Sequence, residues 1–169
     1  SVSPMLVLEG TEYPRTYVRV GDGAGPAAVA EALRAGRAFV TSGPMLGLSV
    51  EGAGLGQLAK SGQGKVAIEV QVHAAPWVDV ASVDLIVNGT VWQTLDVASD
   101  TKTVKRLERS VEIELERDGW VIALARGKND LSRVLPASRA KPMAFTNPVF
   151  VDVDANGKFD APRASAPQP

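Results

Sequence analysis

A strict alternation of apolar and polar side chains in the middle of the chain is the feature that most constrains the fold. Over residues 65–74, single and mostly polar residues separate the side chains of Val66, Ile68, Val70 and Val72. Successive side chains of a β-strand point to opposite faces, so this pattern predicts a strand with one face on a core and the other in water. Strands of this kind are typical of antiparallel sheets that are solvated on one side.

Further strands are indicated by composition and pattern. Residues 110–116 alternate in the same way, with glutamates at the polar positions. Residues 120–125 are continuously apolar, which predicts a central strand that is buried on both faces. Segments rich in β-branched and aromatic residues predict shorter strands at residues 16–20, 37–41 and 45–50.

An Asn-Gly dipeptide at residues 88–89 lies between two segments of strand composition, residues 83–87 and 90–95. Asn-Gly readily supplies the two positive φ angles of a type I′ turn, so these segments are predicted to form a β-hairpin. In the simplest register, Leu85 lies opposite Trp92 as a cross-strand pair.

One helix is predicted, near residues 26–36. Pro26 is compatible with the first helical turn, Val29 and Leu33 lie four residues apart on one face, and Gly36 ends the helix. By contrast, the polar and basic residues at 126–141 show no period and are predicted to form a long surface loop.

About eight strands, turns rich in Gly and Asn, and a single helix predict a mainly β fold, an antiparallel β-sandwich of immunoglobulin-like or jelly-roll type. The length of 169 residues suits one domain with a sizeable core. We predict that residues 1–160 form this domain and that residues 161–169, rich in Pro, Ala and Ser, form a disordered tail. Because Ser1 rather than Met opens the sequence, the chain is expected to be a fragment of a longer protein.

Composition excludes several classes of function. The 18 basic and 19 acidic residues nearly cancel, which argues against a nucleic-acid or membrane-surface partner, and no apolar run is long enough for a membrane span. Without cysteine there is no disulfide, thiolate metal site or cysteine nucleophile. His73 is the single histidine, so a histidine-rich metal centre cannot be built from this chain, and no catalytic residue is predicted. The compartment stays open, with a periplasmic or secreted location favoured over a cytoplasmic one.

A loop near the end of the chain concentrates oxygen ligands. Residues 152–160 read Asp-Val-Asp-Ala-Asn-Gly-Lys-Phe-Asp. In calcium-binding loops the ligands come from positions one, three, five and nine, and from the backbone carbonyl of position seven. Position twelve, where a bidentate Glu is expected, is Arg163, and the alternative is an Asp/Asn/Gly turn without a metal. The predicted structural calcium ligands are Asp152, Asp154, Asn156, the carbonyl of Lys158, and Asp160.

A second class of function is an independent module that binds a carbohydrate, a peptide or an anion. Its binding residues would be tryptophans or the basic residues of the long loop. Packing is the simpler expectation for the tryptophans, and solvation for the basic residues. The residues concerned are Trp77, Trp92, Trp120, Lys128, Arg133, Arg139 and Lys141.

Three segments together resemble a known family. They read Tyr-Pro-Arg-Thr-Tyr-Val at residues 13–18, Ala-Leu-Arg-Ala-Gly-Arg-Ala-Phe-Val-Thr-Ser-Gly-Pro at 32–44, and Ala-Phe-Thr-Asn-Pro at 144–148, followed by Val-Asp-Val-Asp at 151–154. This order resembles the C-terminal region of metallohydrolases of the PHP (polymerase and histidinol phosphatase) superfamily, in the branch of carbaryl hydrolase and a microcin-processing protease. The resemblance spans about residues 12–160.

The resemblance implies a hydrolase parent whose catalytic barrel carries divalent transition metals on a histidine-rich centre. In that family a Ser-Asp-x-His metal-binding segment precedes the Pro-Arg-Thr-Tyr element, but here residues 1–12 contain neither Asp nor His. The implied role is therefore a non-catalytic accessory module that packs against the catalytic barrel of the same polypeptide. By likeness, the side facing that barrel carries Arg15, Arg37, Thr41, Ser42 and Gly43.

Overall fold

Two β-sheets and one helix are found in the computed structural model. It describes residues 14–22, 25–62, 64–98, 103–132 and 139–160. The helix, α1, spans Pro26–Arg34. The strands are β1 (Arg15–Val18), β2 (Ala38–Thr41), β3 (Met45–Val50), β4 (Leu58–Lys60), β5 (Lys65–His73), β6 (Ser82–Val87), β7 (Thr90–Asp96), β8 (Lys105–Glu114), β9 (Gly119–Arg126), β10 (Met143–Thr146) and β11 (Val149–Asp152).

The larger sheet, sheet A, has eight strands and is centred on β9. One edge of β9 pairs with β6, which continues to β7. The other edge pairs with two strands placed end to end: β10, which leads to β2 and β1, and β11, which leads to β4. All of these pairings are antiparallel except that of β11 with β4. Sheet B has the antiparallel order β3–β5–β8.

Apolar side chains of both sheets form one core, so the fold is mainly β and sandwich-like, as predicted. Val66, Ile68, Val70 and Val72 on β5 are fully buried. They belong to the same buried cluster as side chains of β6, β9 and β11 in sheet A. The alternation in the sequence therefore identified the core face of β5 correctly.

The predicted hairpin of β6 and β7 is confirmed, and both turn residues have positive φ, 50° for Asn88 and 89° for Gly89. The predicted register is wrong. A β-bulge after Leu85 inserts one extra residue, so that Leu85 lies opposite Gln93 instead of Trp92. The bulge removes Trp92 from the predicted pair, and its side chain is 39% exposed on this edge strand.

The prediction that β9 is buried on both faces is correct for one face and in part for the other. Val121, Ala123 and Ala125 are fully buried in the core. On the opposite face Trp120 and Leu124 are only partly covered by the described residues. Ile122, between them on the same face, is buried at 8% exposure, so this face of β9 is only partly open to solvent.

Helix α1 ends two residues earlier than the predicted boundary at Gly36, whose φ of 70° ends the helix. Its apolar stripe is poorly covered, since Leu33 is 46% exposed. The predicted tail at residues 161–169, the segment at 1–13 and Arg133 lie outside the described residues. No helix among the described residues is both long and apolar enough to span a membrane.

Candidate metal centre

Asp152 is the last residue of β11 and anchors the acidic loop. Its side chain is fully buried, and its two carboxylate oxygens accept the N–H groups of Asn156, at 3.1 Å, and Gly157, at 2.7 Å. The backbone turns sharply enough for these bonds because Ala155 and Gly157 have φ values of 57° and 85°. Asp152 thus closes the loop back on the end of its strand.

Asn156 brings two further carboxylates of the loop together. Its Nδ2 donates to Asp154 Oδ2 at 3.1 Å and to Asp160 Oδ2 at 3.0 Å. Its Oδ1 accepts the N–H of Lys158 at 2.8 Å. Four of the predicted ligand side chains therefore converge, and coordination through the Lys158 carbonyl stays a prediction.

Asp118 is a member of the cluster that sequence reasoning missed. It is 6% exposed and accepts the N–H groups of Val153 and Asp160, both at 2.8 Å. Asp118 comes 35 residues before Val153, but it directly precedes Gly119, which pairs with Val151 of β11. Asp118 can be identified only from this strand pairing, because the residues around it in the sequence do not show the spacing of a metal-binding motif.

The donor set is made of hard oxygens. One carboxylate oxygen each of Asp118, Asp152 and Asp154 lie within 4.8 Å of one another. Because calcium–oxygen bonds are about 2.4 Å long, oxygens separated by up to about 5 Å can contact one ion. None of the ion pairs found in the described part of the chain involves these three carboxylates. The arrangement therefore fits a calcium ion in charge, donor type and spacing.

The loop is also held by an aromatic contact and opens to solvent on one side. The rings of Phe150 and Phe159 lie 4.9 Å apart between centroids, which packs the loop against β11. A shallow cavity of about 210 Å³ is lined by Glu116, Asp118 and Asp154, among others. Asp118 and Asp154 thus border this cavity, whereas Asp152 is fully buried behind them.

The residues predicted to face a catalytic barrel have partners within this chain. The Thr41 hydroxyl donates to the Pro44 carbonyl at 2.5 Å and accepts the Gly43 N–H at 2.9 Å. The Ser42 hydroxyl accepts the Met143 N–H at 2.9 Å. A Cβ on Gly43 would lie 2.9 Å from a methyl group of Val78. These contacts explain the Ser-Gly-Pro turn structurally, and its role at an interface stays a prediction.

The two arginines of that predicted set lie elsewhere on sheet A. Arg15 is exposed on β1, opposite Thr41. Arg37 precedes β2 and pairs with Glu31 at 3.3 Å, while its Nε is buried without an acceptor among the described residues. Arg37 is thus the one member of the set with an unsatisfied donor.

The second predicted binding site, made of tryptophans or of basic residues, lies only partly within the described residues. Trp77 is 55% exposed, against the packing role predicted for it. Asp79 accepts the N–H groups of Lys128 and Asn129 at 2.5 and 2.9 Å, so that a carboxylate organises the start of the basic loop. Anion binding by this loop stays a prediction.

Asp130 further reduces the positive charge of the loop. Hydrogen bonds from the Ser132 hydroxyl and N–H, followed by Arg139, hold the pKa of Asp130 below its ordinary value. Asp130 also forms an ion pair with Arg139 at 3.4 Å. One of the predicted anion-binding residues is therefore already paired with a carboxylate.

Two segments that carry the family resemblance meet at one junction. Asn147 donates from Nδ2 to the Gly36 carbonyl at 3.1 Å and from its backbone N–H to the Ala38 carbonyl at 3.2 Å. The Pro148 carbonyl accepts the N–H of Gly56 at 2.8 Å. The Asn-Pro step between β10 and β11 therefore fixes the entry to β2.

A further surface outside the predicted sites is an apolar strip on the outer face of sheet A. Phe145 on β10 lies opposite Leu124 of β9 on one side and opposite Val40 of β2 on the other. Trp120 and Ile122 continue the same face of β9, where a shallow depression of about 300 Å³ lies. We call this surface the outer strip, and it consists of Val40, Trp120, Ile122, Leu124 and Phe145.

Comparison of the chain with protein-family models, with curated proteins and with solved structures found no match.

Proposed function

We propose that this chain is a non-catalytic accessory module of a PHP-type metal-dependent hydrolase, which packs against the catalytic barrel through the outer strip and binds a structural calcium ion at the acidic loop. The observation that carries the proposal is the apolar outer strip. The resemblance of the sequence to PHP metallohydrolases is the reason for proposing a catalytic barrel as the partner.

The outer strip differs sharply from the outer face of sheet B. On sheet B the outward side chains of β5 and β8 are mostly charged or polar, including Glu69, Gln71 and Glu112. On sheet A the central strand turns Trp120 and Leu124 outward, and Phe145 beside them is 39% exposed. Of the outer strip, Phe145 is exposed, Val40, Trp120 and Leu124 are partly exposed, and Ile122 is buried. A partly exposed apolar patch of this kind is typical of a surface that another protein or domain covers. Only one face of the sandwich is therefore suited to packing against a barrel.

The side chains of this chain support a non-catalytic role. His73 lies on β5 in sheet B, and the metal-binding group found among the described residues contains aspartates alone. Transition metals of hydrolytic centres take imidazole ligands, whereas an all-oxygen set suits calcium or magnesium. We assign the hydrolytic metals to the barrel and calcium to this module.

Calcium is expected to raise the melting temperature of the chain. Linkage predicts about 2.7 kcal/mol of added stability when free calcium is a hundredfold above its dissociation constant, which for a weak extracellular type of site is about 0.1–1 mM. Differential scanning calorimetry in calcium and in chelator measures the shift. No shift at saturating calcium removes the ion from the proposal.

A pair of variants makes the calcium experiment specific to the cluster. Asp154→Ala removes an exposed candidate ligand and should abolish the shift, while Glu116→Ala removes an exposed carboxylate that lines the same cavity and should keep it. Equal shifts in both variants indicate non-specific screening of negative charge. Magnesium at the same concentration controls for ionic strength, because its smaller octahedral sites keep more water.

Phe145→Asp is expected to weaken packing against the barrel by about 30-fold or more, since it places a charge in the centre of the outer strip. The matched control is Val104→Asp, because Val104 is an apolar side chain that is 57% exposed away from the strip. Titration calorimetry between this chain and the separately expressed barrel measures both affinities. Equal affinities for the two variants contradict a role of the outer strip.

The coding sequence upstream of Ser1 gives the first check on the partner. We expect it to encode a histidine-rich barrel. An upstream sequence without such a barrel contradicts the hydrolase parent, but it leaves the calcium experiment unaffected.

A further inference from the structure

Residues of both sheets line a groove at the edge of the sandwich. Its volume is about 670 Å³, and its lining comes from β1 and β2 in sheet A and from β3 in sheet B. The stacked rings of Tyr17 and Phe39, 5.4 Å apart between centroids, belong to the lining from sheet A. Leu46 and Leu48 belong to the lining from β3. The groove is therefore mainly apolar and has the size of a ligand site.

Strand β3 has unpaired main-chain groups at this groove. Among the described strands, β3 pairs with β5 only. The N–H and carbonyl of Val50 point away from β5, since they bond to the carbonyl and N–H of Ala53 at 2.9 and 2.8 Å. Main-chain groups alternate in direction along an antiparallel strand, so those of Leu46 and Leu48 also point away from β5. No described residue supplies a main-chain partner for these two leucines on that side.

The free edge of β3 is suited to accept a further strand. Leu46 and Leu48 are only 3% and 6% exposed, and buried main-chain groups of native proteins are nearly always paired. Between them, Gly47 lines the groove without a side chain, which is typical of a place where another backbone approaches closely. Sheet B has a second free edge at β8, but that strand carries six charged residues, which discourage strand addition, whereas β3 carries none.

The charge of the groove is positive and lacks a counter-charge. Among the described residues, the charged ones that line it are Arg19 and Arg37 alone. None of the ion pairs within the described ranges involves Arg19. Arg37 pairs with Glu31, but its buried Nε has no acceptor in the part of the chain that the structure describes. An anionic group would therefore complement this lining.

Both arginines lie at one end of the groove. The Arg19 N–H donates to the Arg37 carbonyl at 2.8 Å, beyond the paired residues of β1 and β2. A Cβ built on Gly54 would lie 3.6 Å from Nη1 of Arg19, and Gly54 follows Val50, the last residue of β3. An extended ligand beside β3 would therefore meet the arginines at the C-terminal end of that strand.

We propose that the groove binds an extended peptide of about five residues as a fourth strand of sheet B, antiparallel to β3 and with an acidic residue first. Main-chain bonds to Leu46 and Leu48 hold the peptide, and its alternate apolar side chains enter the groove. A strand antiparallel to β3 begins beside the C-terminal end of β3, so the acidic side chain reaches Arg19 and Arg37. Antiparallel pairing is the more stable arrangement. This inference is independent of the hydrolase and calcium proposals.

Fluorescence anisotropy with a labelled peptide tests the proposal on the whole chain. The acidic peptide is Glu-Leu-Thr-Leu-Val with both termini blocked, so that its two leucines face the groove and its threonine faces water. A peptide with glutamine in place of glutamate should bind at least about tenfold more weakly, because it lacks the charge-assisted hydrogen bonds. Absence of binding of the acidic peptide up to about 1 mM, or equal affinities for the two peptides, overturns the proposal.

A pair of protein variants locates the anionic end of the peptide. Arg19→Gln should weaken binding of the acidic peptide about tenfold and leave binding of the glutamine peptide unchanged. Arg15→Gln is the matched control, because Arg15 is exposed on the same strand and does not line the groove. It should leave both affinities unchanged. Equal losses in the two variants indicate a general effect of positive charge and contradict the proposed contact.

Amide hydrogen exchange distinguishes strand addition from binding by side chains alone. With saturating acidic peptide, the N–H groups of Leu46 and Leu48 should exchange at least about tenfold more slowly. Those of Gly47 and Ser49, which point towards β5, should change little. Dodecanoate is the comparison ligand, because it has a carboxylate and an apolar chain but no main-chain amide. Unchanged exchange at Leu46 and Leu48, or binding of dodecanoate without binding of the peptide, overturns the proposal, and the latter result assigns the groove to a long-chain carboxylate.

Discussion

Replacing Asp118 by alanine should lower the free energy of unfolding by about 3 kcal/mol. The carboxylate accepts two backbone N–H groups, of Val153 and Asp160, and hydrogen bonds to a charged group contribute about 1.5–3 kcal/mol each. Loss of repulsion from Asp152 offsets part of this cost, but both bonds, at 2.8 Å, involve a nearly buried acceptor. Urea unfolding in chelator measures the difference.

Glu116→Ala is the control for Asp118→Ala, because it removes an exposed carboxylate two residues away. It should change stability by less than about 0.5 kcal/mol. Asp118→Asn keeps one acceptor and should cost about half as much as the alanine variant. If Asp118→Ala is no more destabilising than Glu116→Ala, the carboxylate does not hold the loop. Addition of calcium should widen the gap between wild type and Asp118→Ala, since the variant also lacks a proposed ligand.

The contrast between Asp118 and the loop shows what the sequence can reveal about such a site. Asp152, Asp154 and Asn156 converge through bonds between residues two to five apart, and local spacing determines such bonds. Asp118 reaches the same cluster through the pairing of Gly119 with Val151. Strand pairing is a long-range property that a single sequence does not encode locally. The loop was therefore predictable, and its fourth carboxylate was not.

The strands show the same contrast between local features, which the sequence reveals, and long-range features, which it does not. Burial of one face gave β5 a period of two, which the sequence displays directly. The bulge after Leu85 shifts the register without any change in the alternating pattern, so Trp92 was misplaced. Strand β4 has only three residues, Leu58–Lys60, and pairs in parallel with β11, so no pattern long enough to read predicts it.

The outer strip shows that a pattern can be informative where the prediction drawn from it is only partly correct. Continuous apolar sequence predicted burial of β9 on both faces, yet on the outer face only Ile122 is buried, and Trp120 and Leu124 are partly exposed. The outward side chains of β9 are as apolar as those of a core face, but the described residues do not cover them completely. Its apolar side chains are explained if another domain supplies the missing layer, as the proposed packing on a barrel requires.

The largest single-residue effect is expected at Gly56, which lies at the junction that carries the family resemblance. A Cβ on Gly56 would lie 1.8 Å from the Ala35 carbonyl oxygen and 2.9 Å from backbone of Gly36. Backbone cannot move aside as the end of a flexible side chain can. The Gly56 N–H also donates to Pro148, so displacing this residue strains the link to β11.

Gly56→Ala should therefore destabilise the chain by about 4 kcal/mol. Losses of this size are rare for a single substitution, and backbone strain is one of their few causes. Gly52→Ala is a matched control, because Gly52 has a φ of 75° against 74° for Gly56 and would place its Cβ within 4 Å of no other atom. The control carries the cost of a left-handed alanine alone, about 1 kcal/mol. The difference between the two variants, measured by urea unfolding, isolates the backbone contact between Gly56 and the end of α1. Equal losses of stability in the two variants would show that the backbone near Gly56 moves aside at little cost. The hydrogen bonds of Asn147 and Pro148 would then be enough to hold the junction, and the close approach of Gly36 and Gly56 would not be required.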